Sequence, residues 1–153
     1  MLSKKAKYAL KALEYIAKES FRSPLLIAEI AEEQRIPRKF LEVILLELRR
    51  DGILQSKMGK NGGYFLRKSP KEINIGHVIR LMDGPIALLP CVSYKFYEPC
   101  VECEDEATCG LHNVMQQVRE STNKILDKVS LADVLKREQK LIEQKTLVKP
   151  RKK

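Results

Sequence analysis

The sequence predicts a mainly α-helical chain that carries one small β-hairpin. Three observations predict it. Apolar residues recur three and four positions apart through most of the 153 residues, the period of an amphipathic helix. A single pair of short runs, Ile53–Lys57 and Gly63–Arg67, has strand character, with glycine and asparagine between them. That pair follows directly on two helical segments joined by a tight turn.

Ser3 suits the cap of a first helix that reaches about Lys18, with Leu10, Leu13, Ile16 and Ala17 at helical spacing. A loop with Ser23-Pro24 follows. Leu26 to Gln34 forms a short helix with Ile27, Ile30 and Ala31 on one face. Arg35-Ile36 turns the chain. Pro37 then sits in the first turn of a helix reaching about Asp51, where a missing backbone N–H costs nothing. Phe40, Leu41, Ile44, Leu45 and Leu48 are its apolar set. Short helix, turn and longer helix with basic residues at its start make the helix-turn-helix pattern, although an ordinary helical hairpin has the same outline.

The hairpin weighs between these two. Gly52 ends the helix, and Met58, Gly59, Lys60, Asn61 and Gly62 form the turn between the strands. Lys57, Lys60 and Arg67 place charge at or near the tip. A basic hairpin at this position is a wing, suited to a phosphate backbone or a minor groove. The fold class is therefore mainly α with a small β-hairpin wing: a winged helix-turn-helix.

Asn74 caps a further helix, Ile75 to Met82, which Asp83-Gly84-Pro85 stops. Residues 86–110 read as irregular and hold all four cysteines. A long helix starts near Leu111. Leu111, Met115, Val118, Thr122, Ile125 and Val129 alternate four and three apart, as on a coiled-coil seam. Ser130 caps a last helix, Leu131 to about Gln144. The seam either packs on its own domain or joins two copies, and a two-fold reader suits a two-fold DNA site. The expected organisation is a DNA-binding domain over 1–84, a cysteine-rich sensor loop over 85–110, a dimerisation helix and C-terminal helix over 111–146, and a basic tail over 147–153.

Twenty-nine basic residues against 20 acidic ones give a net charge of +9, which favours an anionic partner. The excess is concentrated early, in Lys4-Lys5-Lys7, Arg35-Arg38-Lys39 and Arg49-Arg50. Duplex DNA should therefore meet the N-terminal part. Arg38 and Lys39 are candidates for base or phosphate contacts, with Arg50 on the same helix. Glu42 suits a cytosine amino group. Lys57, Lys60 and Asn61 serve the wing, and Lys5 and Tyr8 the backbone. No run is apolar and long enough for a membrane span, and the N-terminus lacks a signal-peptide core, so a cytoplasmic protein is expected.

Cys91, Cys100, Cys103 and Cys109 have the spacing C-x8-C-x2-C-x5-C, and His112 follows. In the cytoplasm such thiols are metal ligands or redox groups more often than disulfides. Thiolates suit zinc, copper(I) or iron–sulfur clusters. The acidic residues Glu98, Glu102, Glu104, Asp105 and Glu106 disfavour additional thiolate charge without a bound cation, and a carboxylate such as Glu102 could itself be a ligand.

Several motifs, taken in order, carry a resemblance: Lys5-Ala6-Lys7-Tyr8-Ala9-Leu10, Ile27-Ala28-Glu29-Ile30-Ala31, Phe40-Leu41-Glu42, Gly59-Lys60-Asn61-Gly62-Gly63-Tyr64, the run from Ile73 to Ile79, and Ser130-Leu131-Ala132-Asp133-Val134-Leu135. From about Met1 to Leu135 the chain resembles the Rrf family of bacterial winged-helix transcription regulators, the IscR, NsrR and CymR group. The resemblance implies a homodimer joined through the long helix. It also implies an iron–sulfur cluster, with [2Fe-2S] as a candidate type, held by three cysteines and a nearby fourth ligand. On that basis Cys103 and Cys109 match the last two cysteines of the triad, and His112 the ligating histidine. The family spacing is C-x5-C-x5-C, so the first ligand is either Cys91 or the additional Cys100. The alternatives are the same fold as a cluster-free thiol or small-molecule sensor, the same fold with a structural zinc, an RNA-binding protein, and a thiol or metal enzyme. Against an enzyme, no glycine-rich phosphate loop lies near the cysteines, and His77 reads as a packed or surface histidine on a helix.

Overall fold

The computed structural model describes residues 2–148. Six helices and one hairpin follow in the order α1 (Lys4–Lys18), α2 (Ile27–Gln34), α3 (Arg38–Arg50), β1 (Leu54–Lys57), β2 (Gly63–Leu66), α4 (Ile75–Asp83), α5 (Gly110–Leu126) and α6 (Leu131–Val148). Single 3₁₀ turns occur at Ser20–Arg22, Pro90–Val92 and Glu106–Thr108. This is the winged helix-turn-helix with a long helix after it.

The side chain of Ser3 caps α1 by accepting from the Ala6 N–H at 3.1 Å. One face of α1 buries Ala6, Ala9, Ala12, Leu13 and Ile16, and α2, α3, α4 and β2 all pack against this helix. Between α2 and α3 the chain reverses at Arg35, which takes the left-handed conformation at φ 52° and donates its N–H to carbonyls at the end of α2. Pro37 occupies the cap of α3, one position before the first turn where the sequence places it. Its ring still fixes the entry, and α3 buries Leu41, Ile44, Leu45 and Leu48.

The wing is antiparallel, with Leu54 opposite Leu66 and Lys57 opposite Gly63. Leu25, in the segment between α1 and α2, extends the hairpin by exchanging two backbone hydrogen bonds with Tyr64, at 2.9 and 2.8 Å. This close approach explains Gly63. Its φ is 145°, and a Cβ there would stand 2.3 Å from the Leu25 carbonyl oxygen.

α4 carries the expected Asn74 cap, with Oδ1 accepting from the His77 N–H at 2.8 Å. The same side chain donates to the Asp127 carbonyl at 2.8 Å, and the Ile75 N–H reaches the Val129 carbonyl at 3.0 Å. The chain leaving α5 is therefore stitched to the start of α4, and Leu131 is fully buried in the N-terminal core. Two expectations are corrected here. Val129 lies beyond the end of α5, because the helix closes at Asp127 and these bonds pull the backbone away, so it is not a seam position. α6 passes Gln144 and runs to Val148, so positions 147 and 148 belong to a helix and not to a tail. The remaining tail residues, 149–153, lie outside the described residues.

Core truncation and wing crowding should be separable. Leu45→Ala should cost about 2–5 kcal/mol, the usual range for a fully buried leucine. Gly63→Ala should cost about 1–3 kcal/mol through backbone strain, before any clash with Leu25 is counted. Denaturant midpoints of the purified variants measure both.

Candidate functional site

The exposed face of α3 carries Arg38, Lys39, Glu42, Val43, Arg49 and Arg50. Arg38 and Glu42 form an ion pair at 3.3 Å, one turn apart, so each orients the other on the open face. Lys39 and Arg50 are exposed and appear in no ion pair among the described residues. Arg49 donates to the Ser56 hydroxyl at 3.1 Å and so joins the end of α3 to the first wing strand. Lys57, Lys60 and Asn61 all stand exposed on the wing, beside Met58, which is 91% exposed.

The two candidates on α1 are placed differently. Lys5 is half-buried and paired with Glu47 of α3 at 2.7 Å. The Tyr8 ring packs edge-on against Phe40, centroids 5.7 Å apart. Both thus hold α3 against α1. His77 pairs with Asp51 at 2.8 Å on the surface. Val43, half exposed on α3, went unnoticed in the sequence because an apolar residue at an outward helical position reads as a patterning error. On a reading helix it offers a surface for a thymine methyl group.

The cysteine loop gathers its chemistry from three separate stretches. Cys91 is buried in the 3₁₀ turn Pro90–Val92. Cys109 is the cap of α5, and its sulfur accepts from the His112 N–H at 3.4 Å. The Cys103 and Cys109 sulfurs lie 3.6 Å apart. Two thiolates on one tetrahedral ion, each bonded at about 2.3 Å, stand roughly 3.8 Å apart, so this pair already has a ligand-like separation. Donor atoms of Cys91, Glu106 and His112 lie within 4.8 Å of one another. His112 Nδ1 is buried without a hydrogen-bond partner. Cys100 adjoins the thiols through its backbone carbonyl, which accepts from the Cys103 N–H at 3.4 Å. The five sequence candidates thus come together, in two adjoining knots, with Glu106 added.

Charge follows the geometry. Burial, and then the neighbouring Glu106 carboxylate, push the Cys91 thiol up. Hydrogen bonds to Cys100 and Cys109, with burial, push Cys103 up to about 12. Cys109 moves down, because the His112 N–H and the Cys103 thiol both donate to its sulfur. Tyr97 donates to Glu106 at 3.1 Å and is pushed up by that bond.

The Rrf2 family model, described as an iron-dependent transcriptional regulator, matches residues 2–137. The chain belongs to the Rrf2 family. An Rrf2-like HTH-type transcriptional regulator of Rhodobacter capsulatus is 46% identical over 138 residues, covering 88% of this chain and 92% of that protein. The transcriptional regulator IscR of Serratia proteamaculans is 28% identical, covering 92% of this chain and 82% of its own. Among solved structures, CymR, the global cysteine regulator of B. subtilis, superimposes with a TM-score of 0.73 at 26% identity, covering 89% and 96% of the two chains. IscR of T. potens gives 0.69 at 28% identity, covering 90% and 88%.

This Rrf2-family chain is thus a DNA-binding transcriptional regulator of the IscR and CymR kind, and not an enzyme. No helix among the described residues is long and apolar enough to cross a membrane. Soft thiols at ligand separation and an orphaned buried imidazole nitrogen fit a metal or an iron–sulfur group. In the sequence Glu106 is only one of five acidic residues of this stretch. Its six-residue separation from His112 carries no motif, and nothing in the order of residues brings Cys91 to it.

The depressed Cys109 value has a sign that can be read directly. In metal-free, reduced protein, Cys109 stays ionised at a pH where an ordinary thiol is protonated. Iodoacetamide should therefore alkylate Cys109 ahead of Cys103, and the gap should narrow as the pH rises toward the Cys103 value. Mass spectrometry of timed aliquots across a pH series measures this.

Proposed function

We propose that the chain acts as a homodimeric, sequence-specific DNA-binding regulator whose operator affinity is set by an iron–sulfur cluster held in the cysteine loop. The observation that carries this reading is the position of Cys109, whose sulfur caps α5. A candidate ligand is thereby the first fixed point of the helix expected to join two copies.

α5 supports the dimer. Leu111, Val114, Val118 and Ile125 are 40–65% exposed along it. Val118 also lines an open groove of about 500 Å³ with Leu2, Ile86, Ala87 and Leu88. Burying such a seam against a second copy gains about 25 cal/mol per Å² of apolar surface. Two α3 helices in successive major grooves, with wings on the flanking backbone, would then read a two-fold site. Arg38, Lys39, Glu42 and Arg50 serve the groove, and Lys57, Lys60 and Asn61 the wing. A DNA partner implies a cytoplasmic location.

Cys91, Cys103, Cys109 and His112 would hold the cluster, with Cys100 the alternative to Cys91. When bound, the cluster supplies an oxidant-sensitive redox centre. The chain offers a path from this site to α5. Val92, next to Cys91, gives its carbonyl to the buried Arg119 guanidinium of α5. Arg119 also donates to the Tyr94 hydroxyl at 2.9 Å and stacks 3.8 Å from the centre of that ring. A change in where Cys91 is held therefore reaches α5 through Arg119, and with it the spacing of the two reading heads. A second reading, a cluster-free thiol sensor, is favoured by the 3.6 Å separation of Cys103 and Cys109 and by the likeness to the cysteine regulator CymR.

Iron and acid-labile sulfide should be found after oxygen-free purification, and a colourless, iron-free protein would favour the thiol or zinc readings. Operator affinity should differ between loaded and metal-free forms. Equal affinities would remove the sensing role and leave DNA binding intact. Arg119→Gln should retain iron while the loaded and metal-free affinities converge. Lys60→Ala should weaken binding to all duplexes alike and reduce the salt slope by about 1, as loss of one phosphate contact does.

A further inference from the structure

The orphaned nitrogen of His112 and the carboxylate opposite it pose a specific problem. His112 Nδ1 is buried without a hydrogen-bond partner, and Glu106 Oε2 stands 4.0 Å from it. That distance is too long for a hydrogen bond. It also exceeds the roughly 3.5 Å between two ligands on a tetrahedral ion with bonds of about 2.0–2.2 Å, but only by a few tenths. The Cys91 sulfur, a ring nitrogen of His112 and a carboxylate oxygen of Glu106 all lie within 4.8 Å of one another. One oxygen, one nitrogen and one sulfur thus face a common space.

Glu106 is held for this position. Its Oε1 accepts from the Cys100 N–H at 3.2 Å, and its Oε2 from the Tyr97 hydroxyl at 3.1 Å. The residue lies in the 3₁₀ turn Glu106–Thr108, whose start Asp105 caps through the Ala107 N–H at 3.0 Å. Other carboxylates of the segment, Glu102, Glu104 and Asp105, are exposed. A carboxylate fixed beside a buried thiol makes that thiol harder to ionise, and a cation bound between them would reverse this by favouring both anionic ligands.

We propose that Glu106 is a ligand of the metal centre, supplying a carboxylate oxygen beside Cys91 and His112. This rests on the metal-binding reading above, and it makes the centre a mixed oxygen, nitrogen and sulfur site. Such a donor set suits a borderline divalent cation, or an iron bound less softly than by cysteine alone. It also assigns the upstream ligand to Cys91, because the Cys91 sulfur shares the space with Glu106 and His112, whereas Cys100 meets Glu106 through its backbone N–H.

The test uses the full chain, freed of metal under nitrogen and titrated with cobalt(II). Cobalt reports thiolate ligation through charge-transfer bands and the remaining ligand field through its d–d absorption. The Glu106→Gln variant keeps an oxygen to accept from the Cys100 N–H and removes the charge. It should bind cobalt at least tenfold more weakly, with a changed d–d envelope, as expected for the loss of a ligand or its close support. Glu104→Gln should behave as wild type. In the unaltered chain, carbodiimide-driven coupling of glycine ethyl ester to Glu106 should fall on cobalt loading, while coupling to Glu104 should not. A wild-type chain that shows no thiolate–cobalt bands would overturn the metal-binding reading and this inference with it. A wild type that binds cobalt, with Glu106→Gln matching its affinity and d–d envelope or with undiminished coupling at Glu106, would overturn the inference alone.

Discussion

Ala6, Ala9 and Ala12 lie on one face of α1 and are completely buried, together with Leu13 and Ile16. Three methyl-sized side chains in sequence let the helices on either side approach the α1 backbone closely. α4 and α3 pack there, and α2 and β2 complete the surround. A larger residue at any of these positions would force α3 outward and displace its reading face relative to the wing. Lys5–Glu47 and Tyr8–Phe40 then fix α3 against the same helix at two points along its length. The placement of every DNA candidate thus follows from how tightly α1 is packed.

The same constraint explains a partition of charge. Residues of α1 that look like backbone ligands in the sequence are partly taken up by neighbours. The free basic side chains lie farther out, on α3 and on the wing. Arg38 is tied to Glu42, and this pair gives the reading helix a cation and an anion at fixed spacing. A base edge with both a donor and an acceptor can use such a pair, whereas a phosphate uses only the cation. Under the DNA-binding reading proposed above, the exposed pair on α3 would serve base edges, and Lys57, Lys60 and Asn61 at the wing tip the backbone.

Features written in consecutive residues were legible in the sequence. Ser3, Asn74 and Ser130 cap helices where a polar residue precedes a helical pattern, and in the last case Ser130 and Asp133 satisfy each other's backbone N–H groups. The glycine-rich wing was legible for the same reason. Features made by closure were not. The Leu25–Tyr64 bridge joins segments about forty positions apart, and Gly63 reads as a turn residue until Leu25 is seen crossing it. Val129 kept the seam's spacing but was pulled off it by Asn74 and Ile75. Glu106 became a candidate only when the loop brought residue 91 back to residues 106 and 112.

The cysteine loop differs from the rest of the chain in what holds it. Between Pro85 and Gly110, only Cys91, Val92 and Ser93 are buried. Ordering a residue costs on the order of 1–2 kcal/mol of backbone entropy, so so little burial cannot hold some twenty-five residues by packing. Hydrogen bonds converging on Glu106, the Arg119 grip on Val92 and Tyr94, and the cap at Cys109 supply part of the difference. Ligand bonds at Cys91, Glu106, His112 and the Cys103–Cys109 pair would supply the rest. A loop ordered in this way has a conformation that depends on its ligand more than on its own core. That dependence would suit the sensor proposed above, and Cys109 and Arg119 would carry its consequences to the start and the middle of α5.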